Sequence, residues 1–91
     1  MESKFANEIK RLLDHEKHIL ASKGKLVRHF KGKEYKLLDF AEHTETGEKL
    51  VIYQAMYGNY KVYARPFMMF ASEVDRDKYP EVEQQFRFEV I

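Results

Sequence analysis

Two hydrophobic periodicities divide the chain of 91 residues. Between Ser3 and Ser22 the apolar residues recur at spacings of three and four, the period of an amphipathic helix. Ser3 is the predicted N-cap, and Gly24 is the predicted left-handed residue that ends the helix. An isolated helix of this length is marginal, so we expect its apolar stripe to pack on the following sheet or on a second copy. The stripe consists of Phe5, Ile9, Leu12, Leu13, Ile19 and Leu20.

After Gly24 the pattern changes to short runs typical of antiparallel strands, with turn signals at Thr44–Gly47 and Gly58. Pro66 ends the fourth strand, because proline cannot donate to the ladder. Residues 67–70 are predicted to form one helical turn that fills the core, and Pro80 is placed to open a short helix. The predicted strands are Leu26–Phe30, Tyr35–Glu42, Leu50–Ala55, Tyr60–Ala64 and Phe86–Val90.

The second predicted strand carries apolar residues on both faces. Tyr35 and Leu37 are assigned to one face, and Leu38 and Phe40 to the other. We therefore expect one face to meet a sheet and the other to meet the helix. Five short antiparallel strands after one N-terminal helix predict a mainly β (α+β) protein, a small five-stranded SH3-like barrel. The helix over residues 1–24 and the barrel over residues 25–91 are expected to form a single structural unit.

Composition limits the chemistry more than it limits the ligand. The chain has no cysteine, which excludes disulfides, thiol catalysis and thiolate metal sites. No apolar run approaches the roughly 18 residues of a membrane span, and the N-terminus lacks an apolar signal core. We therefore expect a soluble cytoplasmic protein with no membrane partner. The net charge of +1 gives no global attraction to nucleic acid, although basic residues cluster between Lys23 and Lys36.

Several short motifs occur in a fixed order along the chain. They are Val27–Gly32, Tyr35, Ala41–Thr46, Val51–Ala55, Arg65-Pro66, Met69-Phe70 and Arg87-Phe88. In this order, roughly from Lys25 to Ile91, the chain resembles the small bacterial domain-of-unknown-function family DUF1653. The resemblance implies an SH3-like barrel in a bacterial cytoplasmic protein and implies no activity or ligand. The chain departs from the family pattern at Val62–Ala64, where a bulkier aromatic residue is usual, and at Tyr79–Glu81, which replaces a tight turn.

Candidate binding residues gather around Arg65, at the end of the fourth predicted strand. A guanidinium there can bind a carboxylate or phosphate bidentately while tyrosine rings stack on a flat group. The alternative is a structural arginine that stacks on tyrosines and pairs with Asp39 or Glu42. Two histidines at predicted strand ends are placed at the rim of the site. The candidate ligand-binding residues are Tyr53, Tyr57, Tyr63, Arg65, His29 and His43.

Three functions remain open on the sequence alone. The first is a non-enzymatic binding module for an anionic or flat ligand: a nucleotide, single-stranded nucleic acid or an acidic peptide end. The second is a structural or partner-docking protein, either a monomer or a homodimer through the helix. The helix residues for that contact are Phe5, Ile9, Leu12 and Leu13. The third is a small hydrolase or isomerase that uses His29 or His43 with Arg65, which no motif spacing supports.

The sequence predicts no catalytic residues, no cofactor and no metal site. His15 and His18 share one face of the helix and could contribute two ligands if a third came from elsewhere. Their His-Glu-Lys-His run is one residue shorter than the zinc-protease signature, so the spacing does not fit that class of hydrolase. Surface histidines that are simply solvated are the commoner case.

Overall fold

A computed structural model describes residues 4–91. One long helix precedes five strands, and a single helical turn separates the last two strands. The elements are α1 Lys4–Leu20, β1 Leu26–His29, β2 Glu34–Glu42, β3 Lys49–Ala55, β4 Val62–Pro66, α2 Phe67–Phe70 and β5 Phe88–Val90. This confirms a mainly β chain with an N-terminal helix. Gly24 has the predicted left-handed conformation, with φ of +85°, but α1 already ends at Leu20 and the Gly24 N–H donates to the Leu37 carbonyl of β2, so Gly24 shapes the connection to the sheet and does not end the helix. The predicted Ser3 cap lies outside the described residues.

The five strands form one antiparallel sheet in the order β4-β3-β2-β1-β5. β4 and β5 are therefore the two edges, and no ladder joins them within residues 4–91, so the sheet is open and a closed barrel is not confirmed. The residues that follow α2 form backbone hydrogen bonds with the residues just before β5, at the opposite edge of the sheet. Arg87 donates its backbone N–H to Ser72 (2.8 Å) and Val74 donates to Gln85 (2.9 Å). These bonds hold the two edges of the open sheet near each other.

A β-bulge gives β2 a burial pattern that differs from the predicted one. The pairing with β3 shifts register between Leu37 and Asp39, which leaves Leu38 as the extra residue. Side chains alternate along a strand, so one extra residue moves every later side chain to the opposite face. Phe40 consequently packs against the same core as Leu37. The prediction that Leu37 and Phe40 lie on opposite faces is wrong for this reason.

The core lies between the inner face of the sheet, the helical turn α2 and the C-terminal end of α1. Phe70 of α2 and Phe88 of β5 stack with ring centroids 4.1 Å apart and an angle of 5° between the rings. Ile19 of α1 is completely buried against this cluster. Earlier on the same helix, His15 stacks on Phe86 with centroids 3.8 Å apart. Only the C-terminal half of the helix is anchored by buried residues.

The N-terminal half of α1 leaves its apolar stripe exposed. Phe5 is 71% exposed and Leu13 is 51% exposed, whereas His15 and Ile19 are the buried residues of the helix. The predicted packing of the stripe on the sheet is therefore confirmed for Ile19 and not for the residues before it. Among the described residues no helix has the length and apolar character that a membrane span needs.

The loop from Ala71 to Arg87 contains no helix, so the short helix predicted at Pro80 does not form. Side chains take the backbone carbonyls that helical hydrogen bonds would need. The Arg76 guanidinium donates to the carbonyls of Val82 and Gln84. This loop crosses the open side of the sheet and completes the cavity described next.

Candidate functional site

A half-enclosed cavity of about 370 Å³ lies between the end of β1, the inner face of β4 and the loop from α2 to β5. Its volume is at the lower end of the range for small-molecule sites. Most of its lining side chains are polar or charged. They are His29, Phe30, Lys31, Arg65, Val74, Asp75, Lys78, Tyr79 and Arg87. Of the six candidate residues, the fold brings His29 and Arg65 together here.

His29 is the last residue of β1, and its register partner across the ladder is Phe88 of β5. The imidazole meets the Phe88 ring edge-on, with centroids 4.9 Å apart, and is tilted against Phe30 at 4.4 Å. Its Nδ1 accepts a hydrogen bond from the backbone N–H of Lys31 at 3.1 Å. Because Nδ1 is the acceptor, the neutral ring carries its hydrogen on Nε2.

The cavity holds His29 in its neutral form at neutral pH. Burial and, after it, the positive charges of Arg65, Arg87 and Lys31 together lower the pKa of His29 to about 4. Both effects disfavour the imidazolium, since its positive charge would be partly desolvated beside three others. His29 is therefore a hydrogen-bond donor without charge in a strongly positive environment.

Arg65 points inward from β4, because its partner in the ladder is the buried Val51. Its Cζ lies 5.6 Å from the centroid of the Phe88 ring, within the range of a cation–π contact. Among the described residues Arg65 makes no ion pair, and Asp39 instead lies 3.2 Å from Lys23. The alternative in which Arg65 pairs with Asp39 or Glu42 is therefore not found among the described residues.

Three further cations complete the basic lining. Arg87 is held in place by a hydrogen bond from its Nε to the Ser72 hydroxyl at 3.2 Å. The ammonium groups of Lys31 and Lys78 lie 5.4 and 5.6 Å from the ring centroid of Tyr79. A hydrogen bond and the positive charge from Lys31 lower the pKa of the Tyr79 hydroxyl, against the opposing effect of desolvation. Tyr79 thus lies between two ammonium groups at the exposed side of the cavity.

Asp75 is the one carboxylate that lines the cavity. Its Oδ1 accepts hydrogen bonds from the backbone N–H groups of Asp77 (3.0 Å) and Lys78 (3.3 Å). Such a side-chain bond to the backbone two and three residues later stabilises a turn. This turn positions Lys78 and Tyr79 over the cavity, so Asp75 stabilises the conformation of the loop.

The candidate tyrosines form a separate aromatic cluster on the inner face of the sheet. The Tyr35 ring centroid lies 5.4, 5.7 and 6.5 Å from those of Tyr53, Tyr57 and Tyr63. Burial, and then a 2.8 Å hydrogen bond to the Tyr57 hydroxyl, raise the pKa of Tyr35. Tyr53 is only 4% exposed and belongs to the core. Phe88 lies between this cluster and the cavity, so none of the three candidate tyrosines lines it.

His43 lies away from the cavity, just after the far end of β2. Its Nδ1 accepts hydrogen bonds from the backbone N–H groups of Glu45 (3.1 Å) and Thr46 (3.3 Å), which shape the β2–β3 turn. β2 spans nine residues, so roughly 25 Å of strand separate this turn from His29. His29 lies at the cavity with Arg65, and His43 does not. Of the two histidines in the hydrolase or isomerase hypothesis, only His29 is therefore near Arg65.

The helix histidines have different surroundings. His15 is buried, burial lowers its pKa, and its Nε2 has no hydrogen-bond partner among the residues that the structure describes. His18 is exposed on the outer surface of α1. Over residues 4–91, no group of three histidine, aspartate or glutamate side chains is close enough to hold a metal ion.

Sequence reasoning did not select Lys31, Asp75, Lys78, Tyr79 or Arg87 as site residues. Lys31 belongs to the basic run noted in the sequence and to the Val27–Gly32 motif. Arg87 belongs to the Arg87-Phe88 motif and to the predicted fifth strand, and neither assignment gave it a binding role. The others lie in the polar loop, and only its folding across the open side of the sheet brings them to the cavity.

The fold and the cavity define a small, mainly β protein with a basic cavity between the open edges of its sheet. The model of the family described as "Protein of unknown function (DUF1653)" matches residues 25–90, and the chain belongs to this family. The chain is also similar to the crystal structure of a protein of this family from Bordetella bronchiseptica. The two share 25% identity and a TM-score of 0.65 over 80% of this chain and 91% of that one. No protein with a curated description matches the chain.

Proposed function

We propose that this protein is a non-enzymatic binding module that holds an anionic ligand in the cavity around His29 and Arg65. The observation that carries the proposal is the set of cations in that cavity. None of these cations forms an ion pair with another described residue. They are Lys31, Arg65, Lys78 and Arg87.

Like charges brought together by a fold repel one another, which destabilises the folded chain. The ion pairs of the described residues, Lys23 with Asp39 and Arg28 with Glu34, lie outside the cavity. Most basic side chains elsewhere in the described residues also lack an ion pair, so the distinguishing feature of the cavity is that four cations converge on it with Asp75 as its one carboxylate. A bound anion would remove the repulsion, and two guanidiniums can donate to it bidentately.

The cavity also has aromatic walls. Phe30 and Tyr79 lie with ring centroids 4.9 Å apart and an angle of 59° between the rings. A flat group attached to the anion can lie against one of them while its charge faces the guanidiniums. The proposed ligands are therefore a nucleotide, single-stranded nucleic acid or an acidic peptide end. The proposed setting is an SH3-like fold in a bacterial cytoplasmic protein.

An NMR titration at low ionic strength tests this proposal. Three probes are added to the ¹⁵N-labelled full-length chain: adenosine monophosphate, a single-stranded oligothymidine and a short peptide that ends in aspartate. We expect at least one probe to shift the amide signals of Phe30, Lys31 and residues 75–79. If no probe shifts them, or if shifts are confined to the His43 turn or to α1, the cavity is not the binding site.

A second candidate function is self-association through α1. The supporting observation is the exposure of Phe5, Ile9 and Leu13, which follow one another at intervals of four along one helix face. This spacing is symmetric about Ile9, so an antiparallel second copy would place Phe5 against Leu13 at both ends. Leu12, half-buried beside them, would extend the contact. We propose a homodimer with this helix pair as its interface.

Size-exclusion chromatography with light scattering tests the homodimer. The full chain is compared with Phe5→Glu and Ile9→Glu variants, which place charges at the end and the centre of the stripe. We expect a dimer for the unchanged chain and a monomer for Ile9→Glu. A Lys10→Glu variant, at an exposed position about 100° around the same helix from Ile9, is the control and should remain dimeric. Weak association has a dissociation constant on the order of 1 mM, so this is the highest concentration tested. If the unchanged chain is still a monomer at about 1 mM, the homodimer is ruled out.

A further inference from the structure

The charge of the cavity is larger than one carboxylate ligand can compensate. Four cationic side chains line it, and Asp75 supplies the one negative charge, which is already hydrogen-bonded to two backbone N–H groups. The excess is three positive charges. A carboxylate carries one negative charge, whereas a phosphate monoester carries between ~1.5 and 2 at neutral pH, with three acceptor oxygens.

The donors approach the cavity from different elements, as a tetrahedral anion requires. Arg65 extends from β4 over the Phe88 ring, and Arg87 comes from the segment before β5, fixed by its bond to Ser72. Lys31 comes from the β1–β2 turn and reaches the cavity beside Tyr79. A carboxylate offers two oxygens whose lone pairs lie in one plane, whereas a phosphate monoester offers three oxygens arranged around phosphorus and can accept from donors that do not share a plane.

His29 adds a donor that responds to the charge of the ligand. Its Nδ1 is occupied by the Lys31 N–H, which leaves Nε2 as the hydrogen-bearing atom of the neutral ring. Burial and the three nearby cations keep its pKa at about 4 in the empty cavity. A doubly negative ligand would offset the repulsion from those cations, so the imidazolium would become more favourable. Other titratable groups that line the same cavity are Asp75, Lys78 and Tyr79.

We infer that the cavity binds a doubly charged tetrahedral oxyanion, the chemistry of a phosphate monoester, and that binding transfers a proton from solvent to His29. This inference rests on the proposed anion-binding function and names its ligand class. The proton comes from bulk water or buffer and adds to Nδ1, since Nε2 already carries a hydrogen, so the hydrogen bond that Nδ1 accepts from the Lys31 N–H breaks. The bound state carries one more proton than the free protein and ligand together. The cavity volume of about 370 Å³ leaves room for a group attached to the phosphate.

The first experiment compares phenyl phosphate with benzoate, which share the ring and differ in the anion. Both are titrated into the labelled full-length chain at pH 7.5 and constant ionic strength. We expect phenyl phosphate to bind at least about tenfold more tightly than benzoate, with shifts at Lys31 and residues 75–79. Equal or tighter binding of benzoate at these residues would overturn the inference and leave the proposed anion site intact. No shift with either probe would overturn both.

The second experiment tests proton uptake with sulfate, whose charge does not change between pH 5 and 8. The unchanged chain should bind sulfate more tightly as the pH falls, and the His29 ring signals should titrate at a higher pH when sulfate is present. His29→Gln keeps a donor but cannot be protonated, so its sulfate affinity should not depend on pH in this range. The same pH dependence in the variant, or an unchanged His29 titration with sulfate bound, would overturn the proton uptake.

Two further probes distinguish the sources of the phosphate group. Adenosine monophosphate represents a free nucleotide, and oligothymidine with a 5′-phosphate represents a nucleic-acid end. Oligothymidine without the phosphate is the matched control. Tighter binding of the phosphorylated oligonucleotide than of the nucleotide assigns the group to a strand end, and the reverse assigns it to a small molecule. If removal of the 5′-phosphate leaves the affinity for the oligonucleotide unchanged, the cavity does not bind a terminal phosphate.

Discussion

The Arg65 guanidinium lies over the ring of Phe88, with Cζ 5.6 Å from the ring centroid, and this contact spans the open side of the sheet. Arg65 belongs to β4 and Phe88 to β5, the two edge strands. No backbone ladder joins these strands within residues 4–91, so this side-chain contact acts together with the backbone hydrogen bonds of Ser72 and Val74 to hold the edges near each other. The same contact holds a cation at the cavity, which links the architecture to the proposed ligand site.

Replacing Phe88 with leucine should weaken both the fold and the site. Leucine cannot stack on Phe70, whose ring centroid lies 4.1 Å away, and it offers no aromatic face to Arg65. We expect Phe88→Leu to lower the free energy of unfolding by roughly 1–3 kcal/mol, measured by urea denaturation. The control is Phe30→Leu, at a half-buried position, which should lose less. A larger loss for Phe30→Leu would contradict the central role of Phe88.

Stability should fall in acid because of His29. Its folded-state pKa of about 4 lies below the ordinary value of 6.5, so folding favours the neutral ring. This contribution is fully present above pH 6.5 and is lost as the pH falls toward 4. His29→Gln cannot be protonated, so its unfolding temperature should decline less between pH 6.5 and 4 than that of the unchanged chain. Parallel declines in the two proteins would show that His29 is not the cause.

Replacing His15 with phenylalanine should stabilise the protein. The imidazole stacks on Phe86 at 3.8 Å, but its buried Nε2 has no hydrogen-bond partner in the part of the chain that the structure describes. Phenylalanine keeps the stack and removes the unpaired Nε2, which costs about 1 kcal/mol or more when buried. It also loses the hydrogen bond of the ring to the Phe88 backbone, whose effect on the pKa of His15 is smaller than that of burial. We expect His15→Phe to raise the free energy of unfolding by about 1 kcal/mol. The control His18→Phe, on the exposed face, should change it little, and a destabilised His15→Phe protein would contradict this view.

The two isoleucines of α1 should respond differently to truncation. Ile19 is completely buried in the core, whereas Ile9 is 44% exposed. Ile19→Ala should cost about 2–4 kcal/mol of unfolding free energy, and Ile9→Ala should stay within about 1 kcal/mol. Chemical denaturation of both variants at the same protein concentration measures the difference. Equal losses would mean that the N-terminal half of the helix is covered in solution, as in the proposed homodimer.

The order of one helix and five strands was predictable because it depends on local periodicity, whereas the closed barrel predicted from it is not confirmed. The apolar period of α1 and the alternation of β3 match elements of the structure, while α1 ends four residues before Gly24. The bulge at Leu38 was not predictable from alternation. Its effect is to turn Phe40 rather than Asp39 toward the core, which only the paired strand reveals.

The cavity could be predicted only in part. Arg65 was identified from its place at a strand end, and His29 from a strand end distant in sequence, but their meeting depends on the curvature of the open sheet. The positions of the cationic and aromatic residues in the loop depend on Arg76. Its hydrogen bonds to backbone carbonyls fix a loop conformation that no periodic pattern in the sequence predicts. Tyr53 was selected as a candidate ligand-binding residue, yet its side chain is buried, because alternation indicates which face a side chain takes and not whether that face is covered.

The most direct measurement is the affinity of phenyl phosphate for two arginine variants at neutral pH, determined by NMR titration of the folded proteins. Arg65→Ala removes a cation of the cavity, and Arg28→Ala removes a cation that pairs with Glu34 on the exposed face of β1. Both lose the same charge, so a general electrostatic effect would weaken binding equally. We expect Arg65→Ala to bind at least about tenfold more weakly and Arg28→Ala to remain within about twofold of the unchanged chain. Equal affinities in the two variants would contradict an anion site at His29 and Arg65.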